Sequence, residues 1–479
     1  MKIMLINSLP QKAASATADW DTAQEDIGAF PPIGLTYIAG YLLKNTDHDV
    51  RILDAVAERL DYPQIQERIL KFNPEMVGST IFTPTFYDNL VLAKLVKKIL
   101  PDCYVCMGGV QHVRMFINET LSHPEIDFLV RGEGEVIFAD LISALEKGRP
   151  LSSVDGISFM EKGIVVSPGP EGYIKDINEL PPPAFGALDI DLYRSVIGTG
   201  KTVGTISTSR GCPYKCTFCD HPYRTFRVYE NDRILSEMQW FYDKGVREFM
   251  FFDDMFNINA KRVDEISDAI LSSFPDISWA FRGRADQVTH EMAKKAKKSG
   301  CVQMMFGLEA TTNEHLKIIK KQITIDKLSE AIKICKKAGI GTSSNYIIGF
   351  PFHKSRQDIL DVIKFAIGCG SNYAQFNILL PYAGTEIYEQ GVKKWILPAD
   401  FWTNYVLNPE PNAFIPIWDE FLSREELSEL LKMCYQKFYL RPSKVFENLL
   451  KVRSFSQLNM KIKGMFTVMG IKGGYKRGE

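Results

Sequence analysis

The chain has 479 residues, 45% hydrophobic and 24% charged, with a formal net charge of −1. Such a length exceeds one ordinary core and predicts two or three domains, and the near-neutral charge gives no bulk attraction to nucleic acid. No stretch reaches the roughly 18 apolar residues of a membrane span. The opening MKIMLINSLP turns polar too early for a signal peptide. Nine cysteines without a secretion signal predict a reducing, cytoplasmic setting.

In the first third, β-like runs at 2–8, 49–55, 76–82, 103–108 and 126–130 alternate with helical patterns near 34–44, 62–71, 87–99 and 113–122. This βαβα rhythm predicts a doubly wound parallel sheet of flavodoxin-like order, with ligand beyond the carboxyl ends of the strands. The loops there are 7–10, 80–83, Gly108-Gly109 with His112, and 131–135. Adjacent glycines let backbone approach a large flat ligand, although any one of them could simply make a turn. No Gly-x-Gly-x-x-Gly stands at the first turn, which speaks against a dinucleotide site.

Residues 146–195 read as a linker, with a hairpin-like SFMEKGIVVSPG and the stiff run Leu180-Pro181-Pro182-Pro183. From 196 to 390 a second rhythm places strands at 204–209, 248–253, 278–284, 302–309, 342–350 and 374–381, with helices such as 232–242 and 326–338 between them. Six such units predict a partial (βα)6 barrel whose site lies at the carboxyl ends of its strands. Candidates on that rim are Asp253, Asp254, Arg282, Arg284, Glu309, Asn345, Gln375, Asn377 and Pro381.

The run SRGCPYKCTFCDH directly follows the first of these strands, with Cys212, Cys216 and Cys219 separated by three and then two residues. Three closely spaced thiolates suit three irons of a [4Fe–4S] cube and leave one iron for a non-protein ligand. The competing readings are zinc, which favours paired C-x2-4-C arms and a fourth protein ligand, and a disulfide, for which three crowded cysteines pair poorly. The other six cysteines are scattered and read as buried core thiols.

This run, with Phe218 before the last Cys, resembles the signature of the radical S-adenosylmethionine (radical SAM) superfamily. The phrases FPPIGLTYIAGYL, MGGVQH and VRGEGE resemble the cobalamin-binding domain fused to many of its members, and FFDDMF, FGLEA, IIGFP and PYAGT resemble their barrels. The resemblance covers residues 1 to about 385 and implies three cofactors: a [4Fe–4S] cluster, S-adenosylmethionine and cobalamin. It implies that Cys212, Cys216 and Cys219 hold the cluster. The cosubstrate would then meet Phe218, Asp253, Arg284, Glu309 and Asn345, with Glu309 and Arg284 foremost. Cobalamin would meet Asn7, Ser8, Thr80, Gly108, Gly109, His112, Gly132 and Glu133 on a domain spanning 1–145. The Asp-x-His-x-x-Gly motif is absent, so His112 reads as a hydrogen-bonder before a cobalt ligand.

In that family one electron cleaves the sulfonium to a 5′-deoxyadenosyl radical, which takes a hydrogen atom from the substrate. The expected outcome is methylation of an unactivated carbon, with reduction by an external donor of flavodoxin or ferredoxin type. The alternatives are oxidative cyclisation of a tetrapyrrole or lipid and, in another class, a non-catalytic electron-transfer or redox-sensing protein. Residues 391–479 read as a helical region with a basic tail, which resembles in part relatives of the magnesium-protoporphyrin ester cyclase and hopanoid enzymes. Its apolar run 465–471 could meet an anionic membrane surface or fold back as a cap.

Overall fold

The computed structural model describes residues 1–16, 30–194 and 201–450, with side chains described to residue 446 in the last stretch. The apolar run at 465–471 and most of the basic tail lie outside the described residues.

Strands β1 (Lys2–Asn7), β2 (Asp49–Asp54), β3 (Met76–Thr80), β4 (Tyr104–Gly108) and β5 (Phe128–Val130) pair in parallel in the order β2-β1-β3-β4-β5. This is the expected flavodoxin order, with its switch point between β1 and β3. Ile3, Met4, Leu5 and Ile6 are all buried, because helices cover both faces. Helices Ile33–Asn45 and Gly134–Lys147 bury Leu35, Leu42, Phe138 and Leu141 on one face. Helices Tyr62–Phe72 and Phe86–Ile99 bury Ile65, Ile69, Leu90 and Val96 on the other. The helix expected at 113–122 is instead two short ones, Val110–Met115 and Ile117–Leu121. Phe116 leaves helical geometry between them and turns its ring towards His112.

The first sheet does not stop at five strands. Strands β6 (Ile157–Glu161) and β7 (Ile164–Val166) form a hairpin that pairs antiparallel with β5. The segment expected as linker therefore covers the open edge of a three-residue strand. Its turn, Lys162-Gly163, has φ of 50° and 79°, the geometry a tight hairpin of this twist requires.

The second sheet is six parallel strands: β8 (Val203–Ile206), β11 (Glu248–Phe251), β12 (Ser278–Gly283), β13 (Cys301–Glu309), β14 (Gly341–Ile348) and β15 (Tyr373–Ile378), in that order. A short antiparallel pair, β9 (Ser209–Arg210) and β10 (Arg227–Val228), closes the base of the Cys loop. Alternation decides the faces. Trp279, Phe281, Met304, Phe306, Tyr346 and Phe376 point into the helix layer. Met250, Ala280 and Met305 point the other way, into the concave side, where they pack with Tyr193 and Val203.

The free edge of β15 is covered by helix Arg424–Tyr439. The Tyr435 hydroxyl donates to Phe376 O (2.9 Å) and accepts from Phe376 N (3.1 Å); Tyr439 does the same at Ala374, at 2.8 and 3.0 Å. Two side chains one helical turn apart thus stand in for a missing neighbour strand. Ser423 and Glu426 start this helix with the capping box expected of that spacing.

Candidate active site

The Cys loop leaves β9 at Gly211, whose φ of +93° and contact with Thr225 O, 2.1 Å from where a Cβ would stand, admit only glycine. Backbone bonds then pin it: Cys212 N to Tyr223 O, Cys219 N to Cys216 O, Thr217 N to Ile319 O, and Ile387 N to Thr217 O. Cys212, Cys216 and Cys219 are partly exposed free thiols, whereas Cys103, Cys106, Cys301, Cys335 and Cys434 are buried. Among the described residues no three His, Cys, Asp or Glu side chains converge on a single ion. A four-iron cube asks for one thiolate per iron instead, so a fixed loop offering three accessible thiols fits it. Phe218 packs edge-on against Phe350, with ring centroids 5.9 Å apart.

Glu309 ends β13 at a register shift, with φ +67°. Its Oε1 lies 3.1 Å from Lys321 Nζ. A side chain at Gly307 would strike that same oxygen, 2.4 Å from the Cβ position. Burial pulls the Lys321 ammonium down, but the charges of Glu309 and Cys216 outweigh it and hold its pKa above the ordinary value. Lys321 belongs to no motif, and sequence reasoning missed it. Arg284 is largely spent. It forks onto Asp286 at 2.9 and 3.0 Å, donates to Lys321 O and Gln322 O, and lies 3.8 Å over the Tyr214 ring. It holds the Lys321 loop and the Cys loop rather than presenting a free fork to a ligand.

Asp253 is likewise committed. Its carboxylate accepts from Thr208 N and Ser209 Oγ, both at 2.6 Å, and from the Thr208 hydroxyl, and burial raises its pKa. It braces the end of β11 against the segment that follows β8, and its carboxylate is taken up by Thr208 and Ser209. Asn345 lies on the concave face of β14, paired in register with Gly307 and Gln375.

In the first domain, Asn7, Ser8 and Thr80 flank the switch point, and Phe82 stands beside them 68% exposed. A Cβ on Gly108 would meet nothing closer than 3.9 Å, so this loop leaves open space. Gly109, at φ +148°, is required because Ile81 O lies 2.0 Å from its Cβ position. The Asn7 amide donates to Asp54 Oδ1 at 2.8 Å, and three further expected contacts are otherwise employed. His112 is 1% exposed, and its ring nitrogens meet the hydroxyls of Thr83 (3.2 Å) and Thr120 (3.0 Å). Burial pulls its pKa to about 3, which makes it a neutral core imidazole and no cobalt ligand. Gly132 is fixed by Gly172 O, 2.3 Å from its Cβ position.

Glu133 is the third. Its carboxylate takes Arg227 at 2.7 and 2.9 Å, Arg210 at 3.1 Å and Ile174 N at 2.7 Å, while Glu135 takes Arg210 at 2.6 Å. Burial pushes the Glu133 carboxyl up, but the two guanidinium groups outweigh it and hold it below the usual range. Arg210 lies over Tyr37 at 4.7 Å and Arg227 over Tyr173 at 4.3 Å. The GEGE run is thus a buried clamp from the first domain onto the strands that flank the Cys loop.

Residues 206–366 match the model of the radical SAM superfamily, and residues 27–142 match that of the B12 binding domain. An uncharacterized methyltransferase of Pyrococcus horikoshii, PH0819, is 35% identical over 444 residues, covering 91% of this chain and 94% of that protein. The chain belongs to the cobalamin-dependent radical SAM enzymes. The anaerobic magnesium-protoporphyrin IX monomethyl ester cyclase of Rubrivivax gelatinosus is 25% identical over 426 residues, 87% of this chain and 75% of that one. The radical SAM methyltransferase TsrM of Kitasatospora setae, solved with cobalamin and a [4Fe–4S] cluster, shares the fold at a TM-score of 0.65 and 17% identity, over 82% of this chain and 78% of that one. The cofactors of this radical SAM enzyme are the cluster, S-adenosylmethionine and cobalamin. No helix among the described residues is long and apolar enough to cross a membrane.

Proposed function

We propose that this enzyme methylates an unactivated carbon of a small substrate. The observation that carries the reading is the clamp. Glu133 and Glu135 tie the loop after β5 to Arg210 and Arg227. The loop after β5 is therefore held against the strands at the base of the Cys loop. When bound, the cluster supplies an electron to S-adenosylmethionine and cobalamin supplies a methyl group. Cys212, Cys216 and Cys219 would hold the cluster. Glu309 would accept hydrogen bonds from the cosubstrate, with Lys321 Nζ 3.1 Å from its carboxylate, Asn345 on the same wall and Phe218 beside the loop. Asn7, Ser8, Thr80 and Gly108 would line the cobalamin crevice, with Phe82 against the ring.

An external one-electron donor of flavodoxin or ferredoxin type fits a groove of about 840 Å³ beside the Cys loop, lined by Lys215, Lys317, Lys320 and Lys327. Lys215 is exposed and adjoins Cys216, which suits an acidic partner. The basic tail, with nine Lys or Arg against two Glu over 441–479, supports reversible contact with an anionic bilayer. Loss of vesicle binding on removal of 451–479 is the expected result.

The deciding experiment is anaerobic turnover with extracted lipids and tetrapyrroles. A methylase forms 5′-deoxyadenosine and S-adenosylhomocysteine together with a product heavier by one methyl. Deoxyadenosine with hydrogen loss and no homocysteine product would make it a cyclase instead. Neither product, with the cluster intact, would refute the enzyme reading.

A further inference from the structure

Arg282 is the penultimate residue of β12, next to Phe281, which is wholly buried on the helix side. Its own side chain takes the concave face, where the guanidinium lies 5.0 Å from the Phe252 ring centroid. Near the carboxyl end of this central strand Arg282 is exposed. The concave space is therefore open down to this register, just above the apolar layer of Met250, Ala280 and Met305.

Other arginines around the site are engaged: Arg210, Arg227, Arg233 and Arg284 lie within 3.1 Å of a carboxylate, Arg224 donates to Tyr214 O, and Arg262 donates to the carbonyl and hydroxyl oxygens of Thr208. Among the described residues the Arg282 guanidinium has no hydrogen-bond or ion-pair partner. The carboxylate whose charge reaches it, Asp254, is 51% exposed and bound to His221 at 2.7 Å. On the facing strands, Asn345 pairs in register with Gln375, and Asn377 follows one step on. These are neutral amides, partly exposed and without side-chain partners among the described residues. The floor of the space is thus positive and its far wall is neutral and hydrogen-bonding.

A guanidinium fork matches the paired oxygens of a carboxylate or phosphate, and an unmatched one in a recess is poised to take them. We propose that Arg282 binds an anionic oxygen group, carboxylate or phosphate, carried by the substrate. The inference rests on the radical-enzyme reading above and deepens it by naming a substrate class. Three sources could bring such a group: the substrate, the carboxylate of S-adenosylmethionine and the phosphodiester of cobalamin. Register favours the substrate. Arg282 pairs with Met305, four residues before Glu309 along β13, and so lies deeper along the barrel wall than the Glu309–Lys321 pair. A substrate anchored at this depth directs its remaining carbons up towards the rim.

The test compares the full cluster-loaded chain with its R282Q and R282K variants. Binding of succinate, inorganic phosphate and neutral succinamide is measured by calorimetry, together with S-adenosylmethionine affinity and cobalamin content. The expected result is that the native chain binds one of the two anions and not succinamide. R282Q weakens that binding at least tenfold and R282K weakens it less. Cosubstrate affinity, cobalamin content and substrate-free formation of 5′-deoxyadenosine stay unchanged. Equal anion binding by R282Q, or none by the native chain, overturns the proposal. Loss of cosubstrate affinity in R282Q reassigns the residue to the S-adenosylmethionine carboxylate, and loss of cobalamin reassigns it to the cofactor phosphate; both overturn the substrate assignment. If R282Q fails to fold, protection of Arg282 from phenylglyoxal by succinate in the native chain decides the matter. Protection supports the proposal, and full labelling with succinate present overturns it. Failure of the native chain to make 5′-deoxyadenosine counts against the enzyme reading, while the binding results still judge Arg282.

Discussion

Glu309 combines a left-handed backbone, a register shift and a buried cation in one residue. Strain of this kind costs of order 1–3 kcal/mol and persists where surrounding structure holds it for a purpose. Losing a charged hydrogen bond costs about 1.5–3 kcal/mol, roughly ten- to a hundredfold in affinity. Glu309→Ala should weaken S-adenosylmethionine binding by that factor while iron content stays constant, and Lys321→Met should weaken it less. Unchanged affinity in Glu309→Ala would move the cosubstrate elsewhere on the rim. Cys216→Ala, by contrast, should abolish the cluster absorbance, whereas Cys301→Ala, at a wholly buried core thiol, should keep it.

The Cys loop and Glu309 were legible in the sequence because they follow strand ends at motif spacing. Asp253, Arg284, His112 and Glu133 look like ligands in sequence for the same reason, yet each is consumed by neighbours far along the chain: Thr208, Lys321, Thr83 and Arg227. A sequence shows that a polar residue stands at a rim. It does not show which distant partner has already satisfied it.

At the scale of elements, every parallel strand was legible to within about three residues at its ends, since buried parallel strands read as unbroken apolar runs. The hairpin itself was legible in SFMEKGIVVSPG, but what escaped notice was how the sheets are finished: its pairing with β5, and the tyrosine pair on β15. Removing both hydroxyls in Tyr435→Phe/Tyr439→Phe leaves the edge groups of Phe376 and Ala374 unmatched. At about 0.5–1.5 kcal/mol for each of the four hydrogen bonds, denaturant unfolding should show a loss of about 2–6 kcal/mol with the slope unchanged. No loss would mean that water satisfies that edge equally well.

The clamp gives a pH signature. Glu133 titrates below its unfolded value of 4.5, so its contribution is complete above that pH and is lost as pH falls through the depressed folded value. Glu133→Gln should destabilise the protein near neutral pH by about 3–5 kcal/mol, as for other broken buried pairs. The gap from the native chain should close in acid below pH 4.5. A gap that is constant with pH would show that shape, and not charge, makes the clamp.

At the scale of the whole molecule, one apolar cluster runs through both halves. Ile6, Leu90 and Val113 of the first domain share it with Leu316, Phe350 and Leu379 of the barrel and with Trp402, Tyr405 and Trp418 beyond it. Tyr405 also donates to Pro84 O, and His123 meets Val406 O. Residues 397–418 therefore act as a strap that closes the two halves on each other, which composition and periodicity could not reveal, because that stretch is irregular. A chain ending at residue 150 would lose this strap, the clamp and the hairpin covering β5. It should aggregate, and it should bind cobalamin far more weakly than the full chain, even though its five parallel strands are intact. The full chain should melt in a single calorimetric transition, because the halves share a core and neither is buried alone. Two well-separated transitions, or a monomeric 1–150 fragment that holds cobalamin tightly, would show that the domains are joined only by the clamp, and the strap would then be packing without consequence for the site.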